Sequence, residues 1–292
     1  MRIVSLLPSA TEILFAIGAG SDVVGVTHEC DYPPAARTLP QLTTSILAGI
    51  SSSAAIDRHV RTSVHAGSSL YGLDGDALER LEPDLIVTQE LCAVCAVSYE
   101  IVDRAAKRLH HDARIVSLEP ASLDDVFANI LYLGTLTGRE AGARQVVTAL
   151  EARVTALRER TSQAVGPRPR VLLLEWTDPP MGGGHWTPGL VELAGGDCIL
   201  GNPGGNAPTL SWDAIAAVEP QAIVVVPCGY DVDRSREAAR ELETNIAYTS
   251  LPAYRKGRIL AMDGNVYVSR PGPRLVDSAE IIADFLERTD RE

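Results

Sequence analysis

The chain has 292 residues, 46% of them hydrophobic and 22% charged, a composition that excludes long disordered tracts. Its formal net charge of −12 argues against nucleic acid or an anionic membrane as partner. The five cysteines are an odd set in a chain this long, so they form no disulfide framework.

The opening "MRIVSLLPSATEILFAIGAG" is apolar enough to imitate an export signal. Pro8, Ser9, Thr11 and Glu12 interrupt the run, and only Arg2 precedes it. It reads as a strand from Ile3 to Leu6, a turn, and a helix whose Ser9 and Glu12 have capping-box spacing. The expected compartment is therefore the cytoplasm, or outside it if a leader has been removed. No later stretch is long and apolar enough for a membrane span.

The strand "VVGVT" follows, leading into "HECDYPP". Residues 43–72 read as an insertion holding a helix that starts at "SSSAAID", with Ser53 as its cap. "LDGDALERLEPDLIVTQ" is then an amphipathic helix, a Glu-Pro pair and a buried strand, running into "ELCAVCAVS" and later the strand "RIVSL". Between 138 and 160, Ala143, Val147, Leu150, Val154 and Leu157 form one apolar stripe of a long helix. "GPRPR" stops it, and the strands "RVLLLEW", "QAIVVVP" and "RILAMDG" follow.

The chain also repeats itself. "LSWDAIAAVEPQAIVVV" begins at Leu210 and matches the segment beginning at Leu73, an offset of 210 − 73 = 137 residues. The expected fold class is α/β: two Rossmann-like lobes, residues 1–137 and 166–292, joined by a single helical segment at 138–165.

"IVSLLPSATEILFAIGAG", "VVGVTHECDYPP", "LERLEPDLIV" and "PQAIVVV" resemble the helical-backbone substrate-binding proteins of cobalamin and iron-siderophore importers, and the cobalamin-binding members most. The likeness covers nearly the whole chain. It implies capture of a corrinoid, metal chelate or similar medium-sized ligand in a cleft between the lobes, and no catalysis. It also implies one acidic residue per lobe that docks on ABC transporter membrane subunits; Asp76 and Asp213 fall at those places. Without the resemblance, both read as first-turn acids favoured by the helix dipole.

The sequence departs from the corrin-binding pattern where Glu29, Gln89 or Glu90, and Met181 stand at expected aromatic positions. Tyr267 is kept. The expected ligand-binding set is Ser9, His28, Glu29, Tyr32, Gln89, Glu90, Trp176, Met181, His185, Trp186, Tyr267 and Arg270. In "MGGGHWTPG", the glycines permit positive φ or close approach, while His185 and Trp186 offer a ring nitrogen and a flat face. Arg270 and Arg274 suit a ligand carboxylate or phosphate, or else pair with Asp277 or Glu280.

His28, Cys30, Cys92 and Cys95 follow strand ends and form a candidate zinc or thiolate-metal set. The alternative for the thiols is packing as small buried hydrophobes. The rival function is a cytosolic enzyme or metal-handling protein that reuses the fold, with those thiols as working groups.

Overall fold

A computed structural model describes the chain except for residues 48, 51, 66–69, 90–98, 108, 110, 111, 165 and 290–292. The chain divides into two compact units: residues 1–119 with 127–148, and residues 120–126 with 149–292.

The first unit is built on a parallel sheet of β1 (Ile3–Ser5), β2 (Val23–Val26), β3 (Leu85–Thr88) and β4 (Arg114–Ser117), ordered β2-β1-β3-β4. Every residue of β1 and β3 is buried, as strands covered on both faces require. Val4, Leu6, Leu42, Leu78 and Ile86 lie in one core cluster, and full burial of each such aliphatic contributes roughly 1.5–3 kcal/mol. Residues 43–45 and 71–73 pair antiparallel, bracketing the helix Ser53–His65 of the insertion. Ser52, not Ser53, caps that helix: its hydroxyl accepts from Ala55 N at 3.1 Å.

The first helix, Pro8–Ala16, has no capping box. Leu7 is its N-cap; among the described residues no side chain bonds there, and Ser9 Oγ is buried without a hydrogen-bond partner. Proline at the first helical position has no N–H to satisfy, so less capping is needed.

In the second unit, β5 (Arg170–Leu174), β6 (Asp197–Cys198), β7 (Ala222–Val225) and β8 (Ile259–Ala261) form a parallel sheet ordered β6-β5-β7-β8. That repeats the first sheet's order, so the duplication extends to topology. β3 and β7 start 222 − 85 = 137 residues apart, the offset of the sequence repeat. The short β6 escaped the sequence reading because two residues, Asp197 and Cys198, carry no apolar run.

The long helix covers Glu140–Ser162, and Ala143, Val147, Leu150, Val154 and Leu157 are all buried. At its start, a side chain on Gly142 would collide with the carbonyl of Ile17, so only glycine allows this approach. Further along, Arg153 binds Asp277 and Glu280, and Arg160 binds Asp284 and Glu287 of the C-terminal helix Leu275–Thr289. Asp277 and Glu280 thus face Arg153, not the arginines of "SRPGPR" that the sequence offered as partners. Among the described residues, no helix is long and apolar enough to cross a membrane.

Candidate functional site

In each unit the loops that follow the strands gather at the C-terminal edge of a parallel sheet, where open α/β sheets bind ligands. In the first unit, Ser9 follows β1, His28–Cys30 follow β2 and Gln89 follows β3. His28 Nδ1 lies 2.6 Å from Thr43 Oγ1, and its ring packs at 5.7 Å from that of Tyr71. Tyr71 donates to Glu29 Oε1 at 3.5 Å, and His28 Nε2 stands 4.0 Å from the same oxygen. His28, Glu29 and Tyr71 are therefore one polar cluster. Tyr32 is exposed nearby in sequence, whereas Gln89 is buried.

Cys30 turns inward. Its sulfur lies 3.0 Å from Thr11 Oγ1, which donates to Ser5 Oγ at 2.8 Å, and the residue is 2% exposed. The other thiols of the expected metal set, Cys92 and Cys95, and the expected ligand residue Glu90 lie outside the described residues. Among the described residues, no group of three or more His, Cys, Asp or Glu is arranged to hold a metal ion.

The second unit's edge is defined by three loops tied to one another. After β5, the chain runs through Glu175 and Trp176 to the glycine run. Side chains on Gly182, Gly183 and Gly184 would meet Leu200 O, Thr187 Oγ1 and Ala207 N respectively, so the run exists for close backbone approach. The positive φ in this loop belongs to His185, at 49°. His185 N donates to Gly205 O at 2.6 Å and its carbonyl accepts from Gly204 N at 3.0 Å, which pins the strained residue. Burial lowers the imidazole's pKa, against a hydrogen bond with Asn206 that raises it.

Trp186 lies beside it, ring centroids 5.7 Å apart, and its Nε1 donates to Val268 O at 2.9 Å. Val268 ends a π-helical turn, Gly264–Val268, which also contains Tyr267. Gly264 N donates to Tyr230 O, in the loop after β7, at 2.9 Å. Loops from β5, β7 and β8 are thereby joined through main-chain acceptors.

Trp176 is placed differently from Trp186. It is 9% exposed, its Nε1 donates to Asp178 O at 3.0 Å, and it packs 5.3 Å from Tyr230. Arg234 covers the Tyr230 ring at 4.8 Å. Trp176, Tyr230 and Arg234 thus form one stack. Met181 pairs with Trp176 in a short antiparallel bridge, and Arg270 is buried.

Glu175 is the residue that the sequence reading passed over. Its Oε1 accepts from Gly184 N at 2.8 Å and from Thr187 Oγ1 at 2.7 Å. Some of its surface stays accessible, yet the crowded carboxyl is desolvated, which raises its pKa against those two hydrogen bonds. A lone acid at the end of "RVLLLEW" was the available signal. Charge at the end of a buried strand needs a reason. Cys198 is pushed up to about 12 by burial and by Glu192, Glu175 and Asp197, so it stays a thiol.

A family model described as "Periplasmic binding protein" matches residues 3–266. The chain belongs to the periplasmic binding protein family. A "Cobalamin-binding protein" of Halobacterium salinarum is 25% identical over 291 residues, covering 99% of this chain and 70% of its own. A "Vitamin B12-binding protein" of Pectobacterium carotovorum is 24% identical, covering 98% of this chain and 88% of its own. Among solved structures, the periplasmic vitamin B12 binding protein of Vibrio cholerae aligns with TM-score 0.72 at 20% identity over 100% of this chain and 98% of that one. A periplasmic heme-binding protein from Roseiflexus sp. RS-1 aligns with TM-score 0.72 at 24% identity, over 99% and 98%. The fold of this family member is therefore that of the two-lobed binding proteins, as the resemblance implied.

Asp76 and Asp213 sit in the first turns of the repeated helices, Gly75–Leu81 and Trp212–Ala217. The caps are other residues: Asp74 accepts from Ala77 N at 2.8 Å and Ser211 from Ala214 N at 3.2 Å.

Proposed function

We propose that this protein captures a corrinoid reversibly, using loops at the C-terminal edges of its parallel sheets. The observation that carries this is the His185–Trp186 loop, fixed by Trp186 Nε1 on Val268 O at 2.9 Å. It presents a ring nitrogen and a flat aromatic surface, suited to a large planar ring that carries a metal centre. The His28–Glu29–Tyr71 cluster at the first unit's edge offers hydrogen-bonding groups suited to the ring's periphery. The named relatives at the sequence level bind cobalamin or vitamin B12, which favours a corrinoid over other chelates.

Residues 1–137 and 166–292 serve as the two lobes, with 138–165 as the connection. Asp76 and Asp213 serve as the acids that meet a transporter's membrane subunits, because the repeat places them equivalently on two first turns. The protein works where its periplasmic relatives work, and fractionation of cells tests that placement. It performs no chemistry on its ligand.

Titration of the purified protein with cyanocobalamin, followed by calorimetry and by the visible spectrum, tests the reading. One-to-one binding that weakens at least tenfold in Trp186→Ala is expected. Absence of any heat and any spectral change overturns it.

A further inference from the structure

The carboxyl of Glu175 is held by one oxygen only. Oε1 accepts from Gly184 N and Thr187 Oγ1, at 2.8 and 2.7 Å, and this fixes the side chain's direction. Oε2 takes no hydrogen bond from the described residues, and no cation among them pairs with it. The buried side-chain oxygens that lack partners among the described residues are Ser9 Oγ and Ser235 Oγ. Glu175 as a residue is half-buried, so part of its surface is open to solvent. It lies at the end of β5, one residue past Leu174, at the edge where the loop of His185 and Trp186 is built.

We infer that Glu175 Oε2 is a ligand-recognition point that takes an N–H donor, and that it makes the site select amide-bearing corrinoids over carboxylate-bearing ones. This rests on the corrinoid reading above. While Glu175 is ionised, the chemistry runs one way. A pre-aimed acceptor without a balancing cation gains a charge-assisted hydrogen bond from a ligand amide. That donor stabilises the ionised carboxylate and so offsets the desolvation that raises its pKa. A ligand carboxylate at the same place meets like charge, or must first give the site a proton, and either costs affinity. Discrimination of this kind is a difference between two ligands and needs a repulsive element as well as an attractive one. Glu175 supplies both.

The test uses two probes with the same ring and different edges: dicyanocobinamide, whose periphery is amide, and dicyanocobyrinic acid, whose periphery is carboxylate. Affinities are measured by calorimetry for the parent chain and for Glu175→Gln. The glutamine oxygen still accepts from Gly184 N and Thr187 Oγ1, so the loop keeps its anchor. The parent should bind the amide probe at least tenfold more tightly, and the ratio should fall at least fivefold in Glu175→Gln. A merely structural role would weaken both probes together and leave the ratio in place.

If Glu175→Gln fails to fold, Glu175→Ala must show the same fall in ratio, with lower affinity for both probes. Binding of both probes with a ratio unchanged within twofold overturns the assignment of Glu175 alone. Failure of both probes to bind the parent overturns the corrinoid reading and this inference with it.

Discussion

Glu82 and Glu219 occupy the same unusual backbone state, at φ 40° and 45°, each directly before a proline and 219 − 82 = 137 residues apart. Each follows a repeated helix and precedes a repeated strand. A residue before proline is disfavoured in the right-handed helical region, and a left-handed residue is a common way to stop a helix. The duplicated lobe therefore kept a conformational cost as well as a pattern.

That cost can be removed. Glu82→Gly and Glu219→Gly should each stabilise the chain by up to about 1 kcal/mol, since glycine lacks the clash of a left-handed side chain. Thermal unfolding checks it, with a rise of about 2 °C per kcal/mol, the low end of the range for large chains. A fall in Tm for both variants would show that the glutamate side chains contribute more than the strain takes away.

His185 also has a positive φ, at 49°. His185→Gly should also raise stability by about 1 kcal/mol. It should weaken corrinoid binding at the same time, because the imidazole is lost. Opposite signs for Tm and affinity are the expected outcome of paired melting and titration measurements. Matching signs would remove the argument that the strain serves a ligand.

The Glu175 carboxyl has a raised pKa in the folded chain, relative to its ordinary 4.5. Its contribution to stability is therefore full below the ordinary value and is lost as pH rises through the folded value. Glu175→Gln, which never ionises, should be at least as stable as the parent at pH 7–8. The gap should close as the pH is lowered below the ordinary value. Unfolding midpoints measured across that range test the sign.

Thiol labelling separates the described cysteines. Cys228 is exposed, Cys30 is buried against Thr11, and Cys198 is held as a thiol with its pKa at about 12. Iodoacetamide at pH 8 should modify Cys228 before either of the others in the native protein, as read by peptide mass spectrometry. Early labelling of Cys30 would mean that its packing against Thr11 opens readily.

Arg153 binds Asp277 and Glu280 at a half-exposed position. Arg153→Met should cost about 1 kcal/mol or less, because such pairs are screened by water. The loss should shrink in high salt. Urea unfolding at two ionic strengths measures both effects.

The sequence by itself determined the longer elements and their repetition. Continuous apolar runs such as "DLIV" and "AIVVV" admit no half-solvated reading, so β3 and β7 follow from composition alone. The stripe from Ala143 to Leu157 likewise fixed the long helix within a residue or two of Glu140–Ser162. What chain periodicity does not carry is which atom meets which across distant segments. Only the tertiary structure decided that Arg153, not Arg270 or Arg274, takes Asp277 and Glu280 in the clamp on the long helix. It also decided that the three glycines serve close approach while His185 carries the positive φ, and that Cys30 faces Thr11. Glu175 shows the difference most clearly. In the sequence it is one acid after four apolar residues, and its meaning comes from Gly184 and Thr187, nine and twelve residues away, folded back onto a single oxygen.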